Sequence, residues 1–110
     1  MNLEVNLMKN MEQATLRLAG EIDAYTAPQL KESFNSLMEQ DSREIIVDLE
    51  KVTYMDSTGL GVFIGALKSA KEKDKQLKLV NIQERVFRLF QITGLDEIMD
   101  LQAAIRGGNE

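Results

Sequence analysis

The chain has 110 residues, which is enough for one globular domain with a core of its own. It contains no cysteine and no histidine, and 18 acidic against 13 basic residues give a net charge of -5. These counts exclude disulfides, Cys/His zinc sites and catalysis by cysteine or histidine. The acidic balance argues against binding to nucleic acid or to an anionic membrane surface, and no apolar run is long enough to cross a membrane. The N-terminus lacks the features of a signal peptide, so we expect a cytoplasmic protein with carboxylate–metal chemistry, phosphate chemistry or binding as its remaining options.

The N-terminal segments 3–7 and 15–18 alternate apolar with polar residues, which predicts two half-buried strands. The polar residues 9–13 are expected to join them as a hairpin, and Gly20 is expected to break the second strand. Thr26 and Gln29 have the spacing of a capping box, and Pro28 suits the first turn of the helix that follows. Apolar residues at helical spacing predict the buried face of that helix: Leu30, Phe34, Leu37 and Met38.

The β-branched run 45–47 predicts a central parallel strand that is covered on both faces. A helix is then expected from Ser57 to about Lys73. Its predicted core side consists of Leu60, Phe63, Ile64, Leu67 and Ala70.

A short strand near 77–80 and a helix containing Val86 and Phe90 follow, with Gly94 ending that helix. The sequence further suggests a short strand at 98–99, a helical turn over 101–105 and a flexible tail from about residue 106. This alternation predicts an α/β fold: a single domain over 1–110, with a small, mostly parallel sheet, an antiparallel N-terminal strand and about four helices.

The segment 55–61, Met-Asp-Ser-Thr-Gly-Leu-Gly, follows the carboxyl end of a predicted buried strand, where α/β proteins favour functional sites. Ser57 is expected at the N-cap position of the next helix, and the simplest interpretation is that it serves only as a cap. A helix N-terminus also favours a phosphate, and a phosphate on Ser57 would add about −1.5 to −2 charge beside Asp56.

The helix after Ser57 carries Gly59, Gly61 and Gly65. Glycine weakens a helix, so three of them indicate that another backbone must approach closely. That backbone belongs either to a partner or to the protein's own sheet. One uncharged face is expected to hold Thr58, Gly61, Val62, Gly65 and Ser69 together. Such a face suits docking of a partner, although a second helix of the same chain is the alternative.

Three carboxylates, Glu21, Asp23 and Asp56, follow the ends of two predicted strands and would lie on the same edge of a parallel sheet. As a metal site this set is weak, because it lacks a recognised spacing, and solvated loop acids are the plainer interpretation. The glycine-rich segment is not a P-loop either.

Four segments, taken in order, resemble the STAS-domain family of anti-sigma factor antagonists. They are LAGEIDAYTAPQLKE at 18–32, IIVDLEKV at 45–52, the DSTGLG motif within VTYMDSTGLGVFIGALK at 52–68, and RVFRLFQITGLDEI at 85–98. The wording of these motifs is closer to the general-stress members of the family than to the sporulation members.

The resemblance implies a bacterial transcription regulator of the stress response, not an enzyme. Its unphosphorylated form would bind an anti-sigma factor that is itself an ATP-dependent serine kinase, and would thereby release the sigma factor. Phosphorylation of Ser57 would abolish that binding, and a PP2C-type phosphatase would restore it. The protein would need no cofactor, because ATP belongs to the kinase. Thr58 is a second possible phosphate acceptor. The partner-binding residues predicted on this basis are Glu21, Asp23, Tyr25, Thr26, Met55, Asp56, Thr58, Gly59, Leu60, Gly61, Val62 and Gly65.

Two alternatives remain open at this point. One is a STAS scaffold or sensor that is never phosphorylated. The other is an enzyme that uses the three carboxylates with Mg²⁺.

Overall fold

A computed structural model describes residues 2–104 as one sheet with helices packed against it. In chain order the elements are β1 (Leu3–Lys9), β2 (Gln13–Ile22), α1 (Ala27–Met38), β3 (Glu44–Met55), α2 (Ser57–Glu72), β4 (Gln76–Ile82), α3 (Glu84–Ile92), a 3-10 helix (Leu95–Glu97) and β5 (Asp100–Ala103). The strands lie in the order β1-β2-β3-β4-β5; β1 is antiparallel to β2 and the other pairs are parallel. The predicted α/β class and sheet are confirmed, and the three α-helices with the 3-10 helix are close to the four helices expected.

The N-terminal hairpin is confirmed, with Asn10 organising its turn. The amide of Asn10 donates to the carbonyl oxygen of Gln13 at 2.9 Å. The Asn10 side chain accepts from the amides of Glu12 and Gln13, each at 2.9 Å. An asparagine that bonds the backbone two and three residues ahead is a common turn device.

Gly20 does not break β2, which continues to Ile22. The glycine has φ of +121°, and a Cβ atom built there would lie 2.2 Å from the carbonyl oxygen of Asn2. Glycine therefore lets β2 and the segment at Asn2 approach closely, and it does not end the strand.

The capping box predicted at the start of α1 is also wrong. The Thr26 backbone is already helical, at φ −94° and ψ −14°, and its side chain does not cap the helix. Its hydroxyl accepts from the Asp23 amide and donates to the Glu21 carbonyl oxygen, both at 2.9 Å. The side-chain amide of Gln29 donates instead to the carbonyl oxygen of Leu3 in β1, at 3.2 Å. The polar groups thus fix the loop before α1, while Pro28 lies in the first turn as expected.

The core lies on one face of the sheet. Phe34 of α1, Phe63 of α2 and Phe90 of α3 form a chain of edge-to-face contacts, with ring centroids 5.4 Å and 6.0 Å apart. The buried side chains of the strands alternate and join the same cluster. All three α-helices therefore cover the same face.

The opposite face of the sheet has no helix over it within residues 2–104. Ile46 points to this side and is only partly buried, so the prediction of a strand covered on both faces is wrong. The neighbouring positions explain why, since Arg17 and Asp48 form an ion pair there at 3.8 Å. The run 45–47 alone could not reveal this, because Asp48 lies just beyond it and Arg17 comes from the neighbouring strand β2.

The C-terminal part differs from the sequence expectation by a short shift. Gly94 follows α3 at φ +78° and ends it, as predicted. The last strand is β5 rather than 98–99, and 101–103 belong to it instead of a helical turn, because Leu101 pairs with Leu79 of β4. Residue 105 and the tail predicted from about 106 lie outside the described residues. Over residues 2–104 no helix has the length and apolar character needed to cross a bilayer.

Candidate functional site

The ends of β2 and β3 bring two loops to one edge of the sheet. Ile22 pairs with Met55 at the end of the parallel ladder, and the Asp56 amide donates to the Ile22 carbonyl oxygen at 3.2 Å. The loop before α1 and the start of α2 are therefore neighbours, as the parallel topology predicted. This edge lies at the carboxyl ends of the strands, the usual location of sites in α/β sheets.

Asp56, and not Ser57, caps α2. Its backbone is extended, and its Oδ1 accepts from the Gly59 amide at 3.0 Å. The predicted N-cap role of Ser57 is therefore wrong, because the preceding carboxylate occupies that position. Ser57 is the first residue of α2 and is exposed, and its hydroxyl has no partner within residues 2–104. The interpretation of Ser57 as a simple cap no longer accounts for this serine.

Asp23 shapes the neighbouring loop from inside. The residue is 5% exposed, and its Oδ1 accepts from the amides of Tyr25 at 2.9 Å and Thr26 at 3.0 Å. Its Oδ2 is buried and finds no hydrogen-bond donor among the described residues. Tyr25, by contrast, is 86% exposed. The loop thus hides the carboxylate and presents the aromatic ring.

The three carboxylates considered as a metal site do not form one. Within residues 2–104 no group of three acidic side chains is arranged to hold a metal ion. One reason is visible at Asp23 and Asp56: the Oδ1 of Asp23 accepts from amides of the loop before α1, and the Oδ1 of Asp56 accepts from an amide in the first turn of α2.

The glycines of α2 serve two different purposes. A Cβ atom at Gly59 would lie 2.5 Å from the Cγ2 of Ile22 and 3.1 Å from its carbonyl oxygen, so Gly59 permits close packing on the protein's own sheet. A Cβ atom at Gly61 or Gly65 would meet nothing within 4 Å. The close approach to the sheet explains only Gly59. The other two leave bare backbone on the surface.

Ile64 lies between these two open glycines and is 46% exposed. Its predicted place in the core is wrong, because Phe63 fills the core and the next residue is turned about 100° around the helix. Ile64 also lies seven residues after Ser57, hence on the same side of α2. The exposed side of α2 thus contains an apolar side chain that the sequence pattern did not identify.

The predicted partner-binding residues divide by exposure. Those exposed are Tyr25, Thr58, Gly61 and Gly65; those partly buried are Glu21, Asp56 and Val62. Those buried are Asp23, Thr26, Met55, Gly59 and Leu60. The buried members can affect a partner only through the loop and helix that they position.

A groove of about 320 Å³ runs between α1 and α2. The α2 wall contains all five residues predicted to share one uncharged face: Thr58, Gly61, Val62, Gly65 and Ser69. The α1 wall was not predicted; it includes Lys31 and Asn35 above the apolar Phe34 and Met38. The spacing of Lys31 and Asn35, four residues apart, shows that they share a helix face, but it does not show that α2 lies opposite.

A protein-family comparison now bears on this geometry. The STAS domain model matches residues 4–107, which is most of the chain. The chain belongs to the STAS domain family. The family predicted from the four sequence segments is confirmed.

Several similar proteins are named as anti-sigma factor antagonists. The anti-sigma-B factor antagonist of Bacillus subtilis is 46% identical over 108 residues, covering 98% of each chain. The structure of the anti-sigma factor antagonist SpoIIAA in its unphosphorylated form is 26% identical, covers 89% of this chain and 87% of that one, and has a TM-score of 0.77. The structure of the Bacillus cell fate determinant SpoIIAA in the phosphorylated form is also 26% identical, covers 89% and 90%, and has a TM-score of 0.71. These names describe regulators and not enzymes, in agreement with the sequence prediction.

Proposed function

We infer that the protein is an anti-sigma factor antagonist whose binding is switched by phosphorylation of Ser57. The unphosphorylated form binds an anti-sigma factor that is a serine kinase, and the sigma factor is released. The phosphorylated form does not bind, and a PP2C-type phosphatase regenerates the active form. The proposal includes a cytoplasmic location, where sigma factors act, and a role in the stress response.

The observation that carries this proposal is the state of the Ser57 hydroxyl. It is exposed at the first position of α2, while Asp56 supplies the helix cap. A kinase can therefore phosphorylate this hydroxyl without breaking a hydrogen bond that stabilises the fold. In the transfer, the Ser57 oxygen bonds to the γ-phosphorus of ATP, the bond to ADP breaks, and the hydroxyl proton leaves. The relative whose structure is described as phosphorylated supports the same chemistry in the family.

The neighbourhood of Ser57 explains how the phosphate would prevent binding. Asp56 directly precedes it, and Glu21 lies next to the last residue of β2, at the same sheet edge. A phosphate would add about −1.5 to −2 charge to an already acidic edge. A partner surface that accommodates the neutral hydroxyl would then have to desolvate this charge without a counterion, which is costly.

The decisive experiment is incubation with the purified kinase and ATP, followed by intact mass and site mapping. We expect one added phosphate on Ser57, none on Ser57→Ala, and an unchanged result for Thr58→Ala. Phosphate on Thr58 alone would contradict the assignment. No phosphate at all would support the scaffold or sensor alternative.

Binding measurements complete the test of the switch. Ser57→Ala should bind the kinase as wild type does in the absence of ATP and should remain bound when ATP is added. Ser57→Asp should bind poorly. If Ser57→Asp binds as tightly as wild type, the proposed switch is wrong.

A further inference from the structure

The groove between α1 and α2 is open to solvent along its α2 wall. At Gly61 and Gly65 the nearest atoms to a Cβ would lie beyond 4 Å, so nothing in the described chain requires glycine there. Both positions are exposed, where glycine weakens a helix without any compensating contact. The groove floor nevertheless contains the buried side chains Phe34 and Met38, with Val62 partly buried beside them. The wall is thus low and the floor apolar.

This groove is continuous with the surface around Ser57. Thr58 lines the groove and directly follows Ser57, and Gly61 lies one turn further on. A protein that brings a kinase active site to Ser57 therefore meets the mouth of the groove as well. The argument rests on the proposed function, because it takes the kinase as the molecule that covers this face.

The charge of the groove indicates what enters it. Among residues 2–104, Lys31 is the one charged residue that lines the groove; it is exposed and belongs to none of the ion pairs. A second copy of this chain docking about a two-fold axis would place another Lys31 near the same groove. An acidic group on a different protein would instead complement it.

We propose that the groove receives one large apolar side chain of the anti-sigma factor kinase, carried next to a carboxylate that pairs with Lys31. The apolar group packs on the floor between the two helices, and the bare backbone at Gly61 and Gly65 lets the kinase segment approach. The partner surface then includes residues of α1. None of the partner-binding residues predicted from the family resemblance lies in that helix.

The first test fills the groove without threatening the fold. Gly65→Leu places a side chain into open space and replaces glycine by a good helix former, so its melting temperature should not fall below that of wild type. The affinity of unphosphorylated Gly65→Leu for the kinase should be at least about 30-fold lower than that of unphosphorylated wild type. Equal affinity of Gly65→Leu and wild type would overturn the groove proposal.

The second test concerns the charge. Lys31→Glu should weaken kinase binding about fivefold and reduce the salt dependence of the affinity. Lys68→Glu is the matched control, since Lys68 is exposed on α2 and does not line the groove. An equal effect of both variants would mean that only net charge matters and would refute the pairing at Lys31.

The outcomes separate this inference from the proposed function. Wild type that binds the kinase and is phosphorylated on Ser57, together with groove variants that bind normally, refutes the groove alone. Wild type that binds no kinase refutes both. Self-association of wild type that Gly65→Leu abolishes would identify a second copy as the occupant instead.

Discussion

The contrast between Gly59 and Gly61 offers a direct measurement of how tightly α2 packs on the sheet. Alanine at Gly61 meets no atom within 4 Å and should gain the helix propensity difference, up to about 1 kcal/mol. Alanine at Gly59 places its methyl carbon 2.5 Å from the Cγ2 of Ile22, which is fully buried and branched at Cβ, so that its χ1 angle is restricted. Overpacking of this kind costs about 1–3 kcal/mol.

Because both variants gain the same helix propensity, they should differ in unfolding free energy by the overpacking cost alone, about 1–3 kcal/mol. In a domain of this size that corresponds to roughly 4–12 °C in melting temperature. Urea denaturation of wild type, Gly59→Ala and Gly61→Ala gives the difference directly, provided the m-values agree. Equal midpoints for the two variants would refute the packing argument. They would also remove the reason for treating Gly59 separately from the open glycines.

Three other substitutions test the local structures that frame the site. Asp56→Ala should cost about 1 kcal/mol in urea unfolding, and Asp56→Asn much less, because asparagine can still accept from the Gly59 amide; equal losses would contradict the cap. Gly20→Ala should cost more than about 1 kcal/mol, since its Cβ would lie 2.2 Å from the Asn2 carbonyl oxygen, and an unchanged thermal midpoint would show that the strand adjusts. Lys75→Met should lose about 1.5–3 kcal/mol, because the ammonium donates at 2.6 Å to two carbonyls after α1; no loss would mean that water replaces them.

Periodicity predicted the elements well wherever one side of an element is buried. The alternation near Leu16 and the helical stripe through Phe34 both identified core positions, because burial on one face imposes a fixed repeat on the sequence. The same reasoning misplaced Ile64, whose neighbour Phe63 already fills the core. An apolar residue next to the stripe can be counted as core when only the pattern is considered.

Caps and turns were harder to predict, because adjacent residues compete for the same role. Asp56 and Ser57 can each cap a helix, and spacing does not decide between them. Thr26 and Gln29 have capping-box spacing, but the Asp23 amide donates to the Thr26 hydroxyl, and Gln29 reaches β1 across the fold. Each outcome depends on a contact outside the local motif, which the motif itself does not contain.

The groove shows the same limitation at the level of helix packing. The uncharged face of α2 was predicted from spacing, since its members recur at helical intervals. Lys31 and Asn35 were not, because their relation to that face depends on how α1 lies against α2. The family motif at 18–32 contains Lys31, but the motif does not show that α1 lies against α2.

The position of Ser57 predicts that its phosphorylation changes binding without unfolding the helix. A negative charge at the first residue of α2 interacts favourably with the helix dipole, by about 0.3–1 kcal/mol. The carboxylate of Asp56 opposes this by repulsion over a similar range, because both charges are near solvent and are screened. The two contributions nearly cancel, so Ser57→Asp and the phosphorylated protein should melt within a few degrees of wild type.

A second charge reversal makes this prediction sharper. Ser57→Lys reverses both contributions, since it opposes the dipole and attracts Asp56, and it should also leave the melting temperature nearly unchanged. If stability is constant across wild type, Ser57→Asp and Ser57→Lys while kinase affinity is not, the switch acts at the contact surface. A fall of ten degrees or more for Ser57→Asp alone would show that the charge disrupts α2. In that case partner release would come from a conformational change, and the exposed hydroxyl of Ser57 would no longer be sufficient to explain the switch.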